Sequence, residues 1–374
     1  MLVRVGVVAV LSAVLVAGCS GEPDSRAPES AAPAVPSGAP SVPAGASSAA
    51  AGRVPDLGSP QEIATGLNVP WGVAFLPGGD ALVAERGTGR IVQIPAGGGA
   101  GRQVFQVPEV AAQGEGGLLG LAVSPNYAQD RYVYAYFTSS SDNRVVRFRL
   151  TGGTPEVVFG GLTKASIHNG GRIAFGPDGQ LYVGTGDAGQ RSLAQDPGRP
   201  NGKILRLTPD GKPAPGNPTP GSPVYSLGHR NVQGLAWDSA GRLWAIEFGQ
   251  DTFDEVNLIK PGANYGWPTV EGKGDTQGGR FTNPLVTWPT DDASPSGAAI
   301  IGDTLYVAGL RGERLWTVPL SGERTGTPKA ELTGRYGRLR TAVAAPDGSL
   351  WVTTSNRDGR GDPKTGDDRI LRFA

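Results

Sequence analysis

One short pattern occurs six times in this 374-residue chain and limits the folds that it can adopt. Each copy has a small residue, alternating apolar residues, a turn rich in Pro, Asp or Gly, and a second apolar run, which is typical of two strands joined by a tight turn. The copies start near residues 72, 120, 172, 234, 297 and 342, so their spacings are 48, 52, 62, 63 and 45 residues. Such spacings suit one four-stranded blade each. The chain is therefore predicted to be all-β and to form a six-bladed β-propeller of four-stranded antiparallel blades.

The end of the chain and the spacing of the middle copies refine this prediction. The last residues, 369–373, read as a strand, and the last strand of a propeller often joins the first blade, which closes the ring. The longer middle spacings predict longer loops on the third and fourth blades. Since loops on a rigid scaffold carry much of a protein's chemistry, we expect functional residues there.

The N-terminal part has a different composition and predicts export. Residues 1–18 combine a charged start with a short apolar run, which is typical of a signal peptide. The run ends at Cys19, the sole cysteine, in a Leu-Val-Ala-Gly-Cys segment that resembles the bacterial lipobox. Residues 19–53 are mostly Ala, Pro, Ser and Gly and predict a flexible tether. Residues 54–374 then form the propeller, held on the outer face of the cell membrane by a lipid on Cys19 alone.

The charge balance argues against one class of partner. The chain has 34 basic and 34 acidic residues and no basic run. Nucleic acid is therefore not predicted to bind.

His168 is one of only two histidines and lies in a loop directly before a predicted strand. Histidine is the usual side chain for taking up a proton near neutral pH. A single histidine beside a strand is more often a structural hydrogen-bonding group, so the prediction depends on other loops. Five polar clusters lie in predicted loops, and a propeller brings such loops to one central mouth. They are 115–119, 168–172, 186–191, 228–234, and 254–257 with 264–268.

These clusters contain the motifs Glu-Gly-Gly-Leu-Leu-Gly, His-Asn-Gly-Gly-Arg, Arg-Asn-Val-Gln-Gly and Asp-Glu-Val-Asn followed by Asn-Tyr-Gly-Trp-Pro. In this order they resemble the glucose/sorbosone dehydrogenase family, quinoproteins that use pyrroloquinoline quinone (PQQ) and calcium. The resemblance implies an oxidoreductase that converts the C1 hydroxyl of an aldose sugar to a lactone. Neither the electron acceptor nor the oligomeric state follows from it.

The same resemblance implies roles for three catalytic residues. His168 would be the general base, Asp187 would orient and stabilise it, and Arg230 would lie near the reacting carbonyls of the cofactor. A fixed guanidinium suits that place because the cofactor gains negative charge. Without the resemblance, Asp187 and Arg230 would be read as a turn cap and a surface charge.

Further residues are implied to bind the cofactor, which is a flat tricarboxylate. Arg338 and Arg340 stand two residues apart in a strand, where alternate residues point to the same face. Glu115 replaces a glutamine of relatives, so it either contacts the substrate or marks altered chemistry. The full implied set is Glu115, Asn231, Gln233, Arg311, Arg338 and Arg340.

Two calcium sites are also implied. Glu255 and the backbone carbonyl of Tyr265 match a structural site, and oxygen ligands of both kinds suit calcium. Gly249 and Gln250 match a turn whose carbonyls bridge calcium to the cofactor, although relatives have proline where this chain has Gln250.

Other residues receive a structural interpretation or leave the function open. His229 is interpreted as structural, and Trp71, Trp237, Trp244 and Trp351 as core, whereas Trp267 and Trp288 are placed in loops where they can stack on a sugar. Two alternative functions remain: a non-catalytic extracellular binding or scaffold protein, and a calcium-dependent lactone hydrolase with several carboxylates around one metal.

Overall fold

The computed structural model describes residues 53–374, and its strands form six antiparallel sheets, one for each predicted copy of the repeat. The predicted six-bladed β-propeller is confirmed. Within the described residues, no helix has the length and apolar character of a membrane span. The predicted signal peptide (1–18), Cys19 and all but the last residue of the predicted tether (19–53) lie outside the described residues.

The strands follow the chain from blade to blade. Blade one contains β2 (Pro70–Phe75), β3 (Ala81–Glu85), β4 (Arg90–Ile94) and β5 (Arg102–Gln106). Blade two contains β6 (Leu118–Val123), β7 (Tyr132–Thr138), β8 (Asn143–Arg149) and β9 (Glu156–Leu162). Blade three contains β10 (Ile173–Phe175), β11 (Leu181–Gly184), β12 (Lys203–Leu207) and β13 (Val224–Leu227). Blade four contains β14 (Val232–Trp237), β15 (Leu243–Glu247), β16 (Phe253–Ile259) and β17 (Val286–Pro289). Two short helices, α1 (Tyr127–Asp130) and a 3-10 helix (Arg191–Gln195), interrupt the pattern.

Blade five departs from the predicted four strands. After β18 (Pro295–Ile301), β19 (Thr304–Gly309) and β20 (Arg314–Ser321), its outer edge is shared by two short strands, β21 (Arg324–Thr325) and β22 (Lys329–Glu331). Both pair with β20.

The ring is closed in the sense opposite to the prediction. Blade six consists of β23 (Leu339–Ala344), β24 (Leu350–Thr354), β25 (Ile370–Phe373) and, at its outer edge, β1 (Gln61–Ala64). The last strand stays within its own blade, and the first strand of the domain joins it through the register Gln61↔Arg372. The expectation that the last strand joins the first blade was therefore wrong in direction, because β25 pairs with β24 and leaves its other edge to β1.

The small residue of the repeat has a packing reason. A side-chain carbon on Gly234 would lie 2.6 Å from the carbonyl oxygen of Ser296 in the next blade. On Gly297 it would lie 2.7 Å from Cα of Thr341, one blade further. The innermost strands approach each other too closely for a side chain at these positions, so the repeat selects glycine.

The core lies between neighbouring blades. Trp244, for example, packs with Val307 of the next blade in one apolar cluster. The predicted core tryptophans are all buried: Trp71, Trp237, Trp244 and Trp351. The longest loops belong to blades three and four, as predicted, and span 185–202, 208–223 and 260–285.

Candidate active site

Loops and strand ends from all around the ring meet at one cavity on the axis. Its walls combine arginines and carboxylates with the Trp71 ring and glycine backbone. The lining residues are Trp71, Arg86, Gly114, Glu115, Asn169, Gly170, Gln233, Phe248, Leu310, Arg340, Asp358 and Arg360. The predicted convergence of distant clusters is thus observed for three of the five predicted polar segments, 115–119, 168–172 and 228–234.

His168 lies beside this cavity, immediately before two lining residues, and is paired with Asp187. Its ring nitrogen Nδ1 is 2.7 Å from Oδ1 of Asp187. Because an ionised carboxylate only accepts hydrogen bonds, Nδ1 carries the hydrogen and Nε2 keeps its lone pair. His168 is held at φ +54°, and its backbone N–H donates to Oε2 of Glu115 at 2.9 Å. The geometry therefore aims one basic nitrogen away from Asp187.

Asp187 is fully buried and has more than one donor. Burial raises its pKa, but the hydrogen bonds from His168, from the indole of Trp267 and from the Gly189 N–H outweigh burial and hold the pKa below its ordinary value. Trp267 Nε1 donates to Oδ2 at 2.8 Å, and Gly189 N donates to Oδ1 at 2.8 Å. The carboxylate stays ionised beside the histidine.

The loop that carries Asp187 is fixed by a buried lysine. The ammonium of Lys203 donates to the carbonyl oxygens of Leu193, Ala194 and Asn201 at 2.7, 2.9 and 2.8 Å. These three bonds tie the 3-10 helix to β12. They hold the long loop of blade three against its own sheet.

The glycines of the His168 motif allow its loop to pass close to the backbone at the end of β11 in blade three. A side-chain carbon on Gly170, which has φ +65°, would lie 2.5 Å from Cα of Thr185. Gly170 N donates to Oδ1 of Asn231 at 3.0 Å. The motif thus positions His168, and its next two residues, Asn169 and Gly170, line the cavity.

Arg230 lies over the ring of Trp267, with its guanidinium carbon 5.4 Å from the ring centroid. The Arg230 backbone carbonyl accepts from Asp187 N at 2.9 Å, and its N–H donates to Oε2 of Glu247 at 2.8 Å. The structure therefore brings the three predicted catalytic residues, His168, Asp187 and Arg230, into one connected group.

Among the predicted cofactor residues, Arg338 and Arg340 meet at a carboxylate that the sequence did not suggest. Asp358 Oδ2 accepts from Nε and Nη2 of Arg338 at 3.1 and 3.0 Å, and Nη2 of Arg340 lies 3.6 Å away. The two guanidiniums do share one face, as predicted. Burial raises the pKa of Asp358, and the two arginines together hold it below its ordinary value.

Arg311 does not reach this cavity. Its guanidinium pairs with Asp291 at 2.7 Å, and its side chain is 60% exposed. The structure instead places Arg86 in the cavity wall, where Nη2 donates to the carbonyl oxygen of Asp358 at 3.4 Å. Arg86, Asp358 and Arg360 were missed by sequence reasoning. The charged Asn-Arg-Asp-Gly-Arg segment 356–360 was the available signal.

Gln233 and Glu115 both line the cavity. Gln233 Oε1 accepts a long bond from Nη1 of Arg340 at 3.5 Å. Below it, Arg172 donates to the Gln233 carbonyl at 2.8 Å and lies 4.2 Å from the Trp71 ring centroid. Glu115 Oε1 is 3.4 Å from Nη1 of Arg360 across the cavity. Glu115 is thus neutralised in part by an arginine from blade six.

The predicted calcium ligands form two neighbouring groups. Glu255 is buried, its Oε1 accepts from Gly272 N at 2.7 Å, and its Oε2 accepts from Nδ2 of Asn257 at 2.9 Å. Burial, with Glu247 nearby, raises the pKa of Glu255 to about 8. Tyr265 donates its hydroxyl to the Leu258 carbonyl at 2.7 Å. Gly249 and Gln250 lie at the start of the turn before β16, and Gly249 N donates to Asp254 at 2.9 Å.

Of the predictions for His229, Trp267 and Trp288, the one for His229 is confirmed and the loop position of Trp288 is wrong. His229 is buried, both of its ring nitrogens are hydrogen-bonded, to Ser226 and Glu247, and its ring stacks on Tyr265. It is structural, as predicted. Trp267 lies in a loop but is buried. The loop position predicted for Trp288 was wrong, since this residue is buried in β17 and stacks on Trp316.

Comparison with known proteins identifies the family of this chain. The family model for glucose/sorbosone dehydrogenase matches residues 67–371. The aldose sugar dehydrogenase YliI of Escherichia coli is 30% identical over 333 residues, which cover 78% of this chain and 89% of that protein. The quinoprotein glucose dehydrogenase B of Acinetobacter calcoaceticus is 34% identical over 260 residues, which cover 59% of this chain and 54% of that protein.

A solved structure extends the comparison to the fold. The PQQ-bound form of aldose sugar dehydrogenase from Streptomyces coelicolor is 57% identical in sequence and superposes with a TM-score of 0.81. The match covers 85% of this chain and 99% of that one. The family match over most of the propeller shows that this chain belongs to the glucose/sorbosone dehydrogenase family and is an oxidoreductase.

Proposed function

We propose that this protein oxidises an aldose sugar at the C1 hydroxyl to the lactone, with PQQ as the cofactor and His168 as the general base. The pairing of His168 with the ionised Asp187 at 2.7 Å, beside a cavity lined with arginines, carries this proposal. The sugar dehydrogenases to which the chain is similar support the substrate class.

The cavity fits a flat anionic quinone. Two of the buried donors without a hydrogen-bond partner among residues 53–374 belong to this site. They are Nε of Arg340, which lines the cavity, and Nδ2 of Asn231, whose side-chain oxygen accepts from the N–H of the lining residue Gly170. Buried donors are rarely left without an acceptor, and the oxygens of PQQ are acceptors. Arg86 and Arg360 add positive charge around the same cavity. The PQQ-bound relative from Streptomyces coelicolor supports the same assignment.

In the proposed reaction His168 takes the proton of the C1 hydroxyl at Nε2. Arg340, Asn231 and their neighbours would hold PQQ, which would supply an acceptor for the hydride of the same carbon. Asp187 keeps the ring in the orientation that leaves Nε2 free and stabilises the imidazolium that forms. Trp267 fixes Asp187 through its indole N–H. Asp187 in turn orients the base, so Trp267 acts on His168 through Asp187. The guanidinium of Arg230 supplies positive charge where negative charge develops.

Calcium is part of the proposal, with two sets of ligands. The carbonyls of Gly249 and Gln250 accept no hydrogen bond from residues 53–374, so they fit an oxygen-binding cation near the cavity. Near Glu255, the buried Oδ1 of Asn257 accepts no hydrogen bond from residues 53–374. That oxygen adds to Glu255 and the Tyr265 carbonyl as a further acceptor for a cation. Among the described residues, no three acidic, histidine or cysteine side chains are grouped to hold one metal, which disfavours the lactone hydrolase.

We further propose that the protein is exported and anchored by a lipid on Cys19, so that sugar oxidation takes place outside the cytoplasm. Radiolabelled palmitate tests this directly. The wild-type chain should be labelled and recovered with membranes, whereas Cys19→Ser should be unlabelled and released.

Reconstitution of residues 54–374 with PQQ and calcium tests the activity. Dye-linked oxidation of a panel of aldoses should require both PQQ and His168, with His168→Ala as the inactive variant. Failure to bind PQQ at saturating calcium would reject the dehydrogenase and favour the scaffold alternative.

A further inference from the structure

The side chain of Gln250 holds the guanidinium of Arg230. Its Oε1 accepts from Nε of Arg230 at 3.1 Å and from Nη2 at 2.7 Å. We propose that Gln250 is a positioning residue for Arg230, which it orients without neutralising its charge. This inference rests on the proposed function and adds a residue to it.

All the polar partners of the Arg230 guanidinium are neutral. Besides Gln250, Nη1 donates to the carbonyl oxygen of Phe248 at 3.3 Å, and the face of Trp267 lies against the guanidinium. In the described part of the chain no carboxylate forms an ion pair with Arg230, which is buried. Burial makes its charge costly and lowers its pKa, while nearby carboxylates only offset this.

An amide acceptor and a carboxylate acceptor would have different consequences here. Both can fix the direction of a guanidinium. Two N–H groups of Arg230 converge on the single Oε1 of Gln250, whereas a carboxylate can accept two parallel N–H bonds with its two oxygens. A carboxylate would also cancel the charge, and a cancelled charge stabilises little negative charge on a neighbouring group. The amide of Gln250 orients the arginine and leaves its charge uncompensated.

Gln250 is itself held by its backbone. A single oxygen of Glu271, Oε1, accepts from four successive N–H groups: Gln250 at 2.7 Å, Asp251 at 3.0 Å, Thr252 at 2.9 Å and Phe253 at 3.1 Å. Successive N–H groups around one anion form a rigid turn. The Gln250 side chain therefore starts from a fixed main chain and needs little ordering to reach Arg230.

The departure from proline at this position now has a structural explanation. Proline has no backbone N–H for Glu271 and no side-chain acceptor for Arg230. Gln250 provides both, while its carbonyl, the proposed calcium ligand, is unchanged. The side-chain role and the carbonyl role can therefore be separated by mutation.

Two variants of the full-length protein separate orientation from charge. Gln250→Ala removes the acceptor but keeps the N–H and the carbonyl. Gln250→Glu keeps the acceptor geometry and adds a negative charge. The Arg230 Nε–Hε resonance in the protein without PQQ, assigned by its loss in Arg230→Lys, reports orientation. PQQ affinity, measured by titration, and kcat and KM with the aldose report the charge.

We expect the resonance to be protected from exchange in the wild type and in Gln250→Glu, and to be lost in Gln250→Ala. We expect kcat to fall about 10- to 100-fold in both variants, the effect of one charge-assisted bond, with a smaller change in the KM for sugar. PQQ affinity should fall more in Gln250→Glu than in Gln250→Ala. A protected resonance in Gln250→Ala, or wild-type kcat in Gln250→Glu, would overturn the inference. Wild-type protein that binds no PQQ would instead reject the proposed function, and the resonance would still decide the contact.

Discussion

Trp267 donates its indole N–H to Oδ2 of Asp187 at 2.8 Å, so the carboxylate that orients His168 is held by a loop of the next blade. The proposed role of His168 as a base would thus depend on the contact between blades three and four. A tryptophan that the sequence suggested as a sugar platform instead fixes the proposed base.

Replacing Trp267 with phenylalanine keeps the ring and removes this hydrogen bond. We expect kcat to fall about tenfold or more, because a bond to a charged acceptor contributes about 1.5–3 kcal/mol. Trp288→Phe is the matched control, since Nε1 of Trp288 has no partner among residues 53–374. Steady-state assays of both variants decide the point, and equal losses of kcat would contradict it.

Asp187→Asn should leave the fold intact and abolish most of the activity. An asparagine can donate to Nδ1 of His168, which moves the ring hydrogen to Nε2 and removes the lone pair needed for proton uptake. We expect kcat to fall by about 10²- to 10⁴-fold. Near-wild-type kcat in this variant would show that Nε2 is not the base.

Cofactor affinity should distinguish two arginines that the resemblance implies to be cofactor contacts. Arg340→Ala removes a buried guanidinium that lines the cavity, and we expect PQQ affinity to fall about 10- to 100-fold. Arg311→Ala removes an exposed arginine paired with Asp291, and we expect little change. Fluorescence titration of each variant with PQQ measures both effects, and the opposite order would restore Arg311 to the site.

The carboxylate of Asp358 predicts a pH-dependent stability. Its pKa is depressed in the folded protein, so its contribution is present above the ordinary pKa and is lost as the pH falls through the depressed value. Asp358→Asn should therefore destabilise the protein by about 1.5–3 kcal/mol at pH 6 and by less at pH 3. Urea unfolding at both pH values tests this, and a constant difference would refute it.

Lys203→Met should destabilise the propeller and loosen the loop that carries Asp187. Three buried carbonyls lose their common donor, which we expect to cost about 2–4 kcal/mol. Lys260→Met is the control, because Lys260 forms an exposed ion pair with Glu323 and such pairs contribute about 0–1 kcal/mol. Thermal unfolding of both variants compares the two costs.

The repeat predicted the fold because each copy encodes its own two-stranded unit, and several copies add a glycine where neighbouring blades approach closely. His168 and Asp187 were predictable because their motifs are local and lie in order along the chain. Arg86 and Asp358 were not, since each is a single charged residue whose place in the cavity arises only when the ring closes. Arg311 was misplaced because the resemblance gives a residue's position in the motif order but not its surroundings, and in the structure its exposed guanidinium pairs with Asp291.

Closure of the ring by β1 makes the finished cavity dependent on chain length. β25, at residues 370–373, must be present before β1 has a partner, and blade six also contributes Arg340, Asp358 and Arg360 to the cavity. A chain truncated before β25 leaves β1 and β24 with open edges. Loss of β25 would therefore unpair the blade that supplies three charged side chains to the cavity, so the last strand contributes to the binding site without touching it.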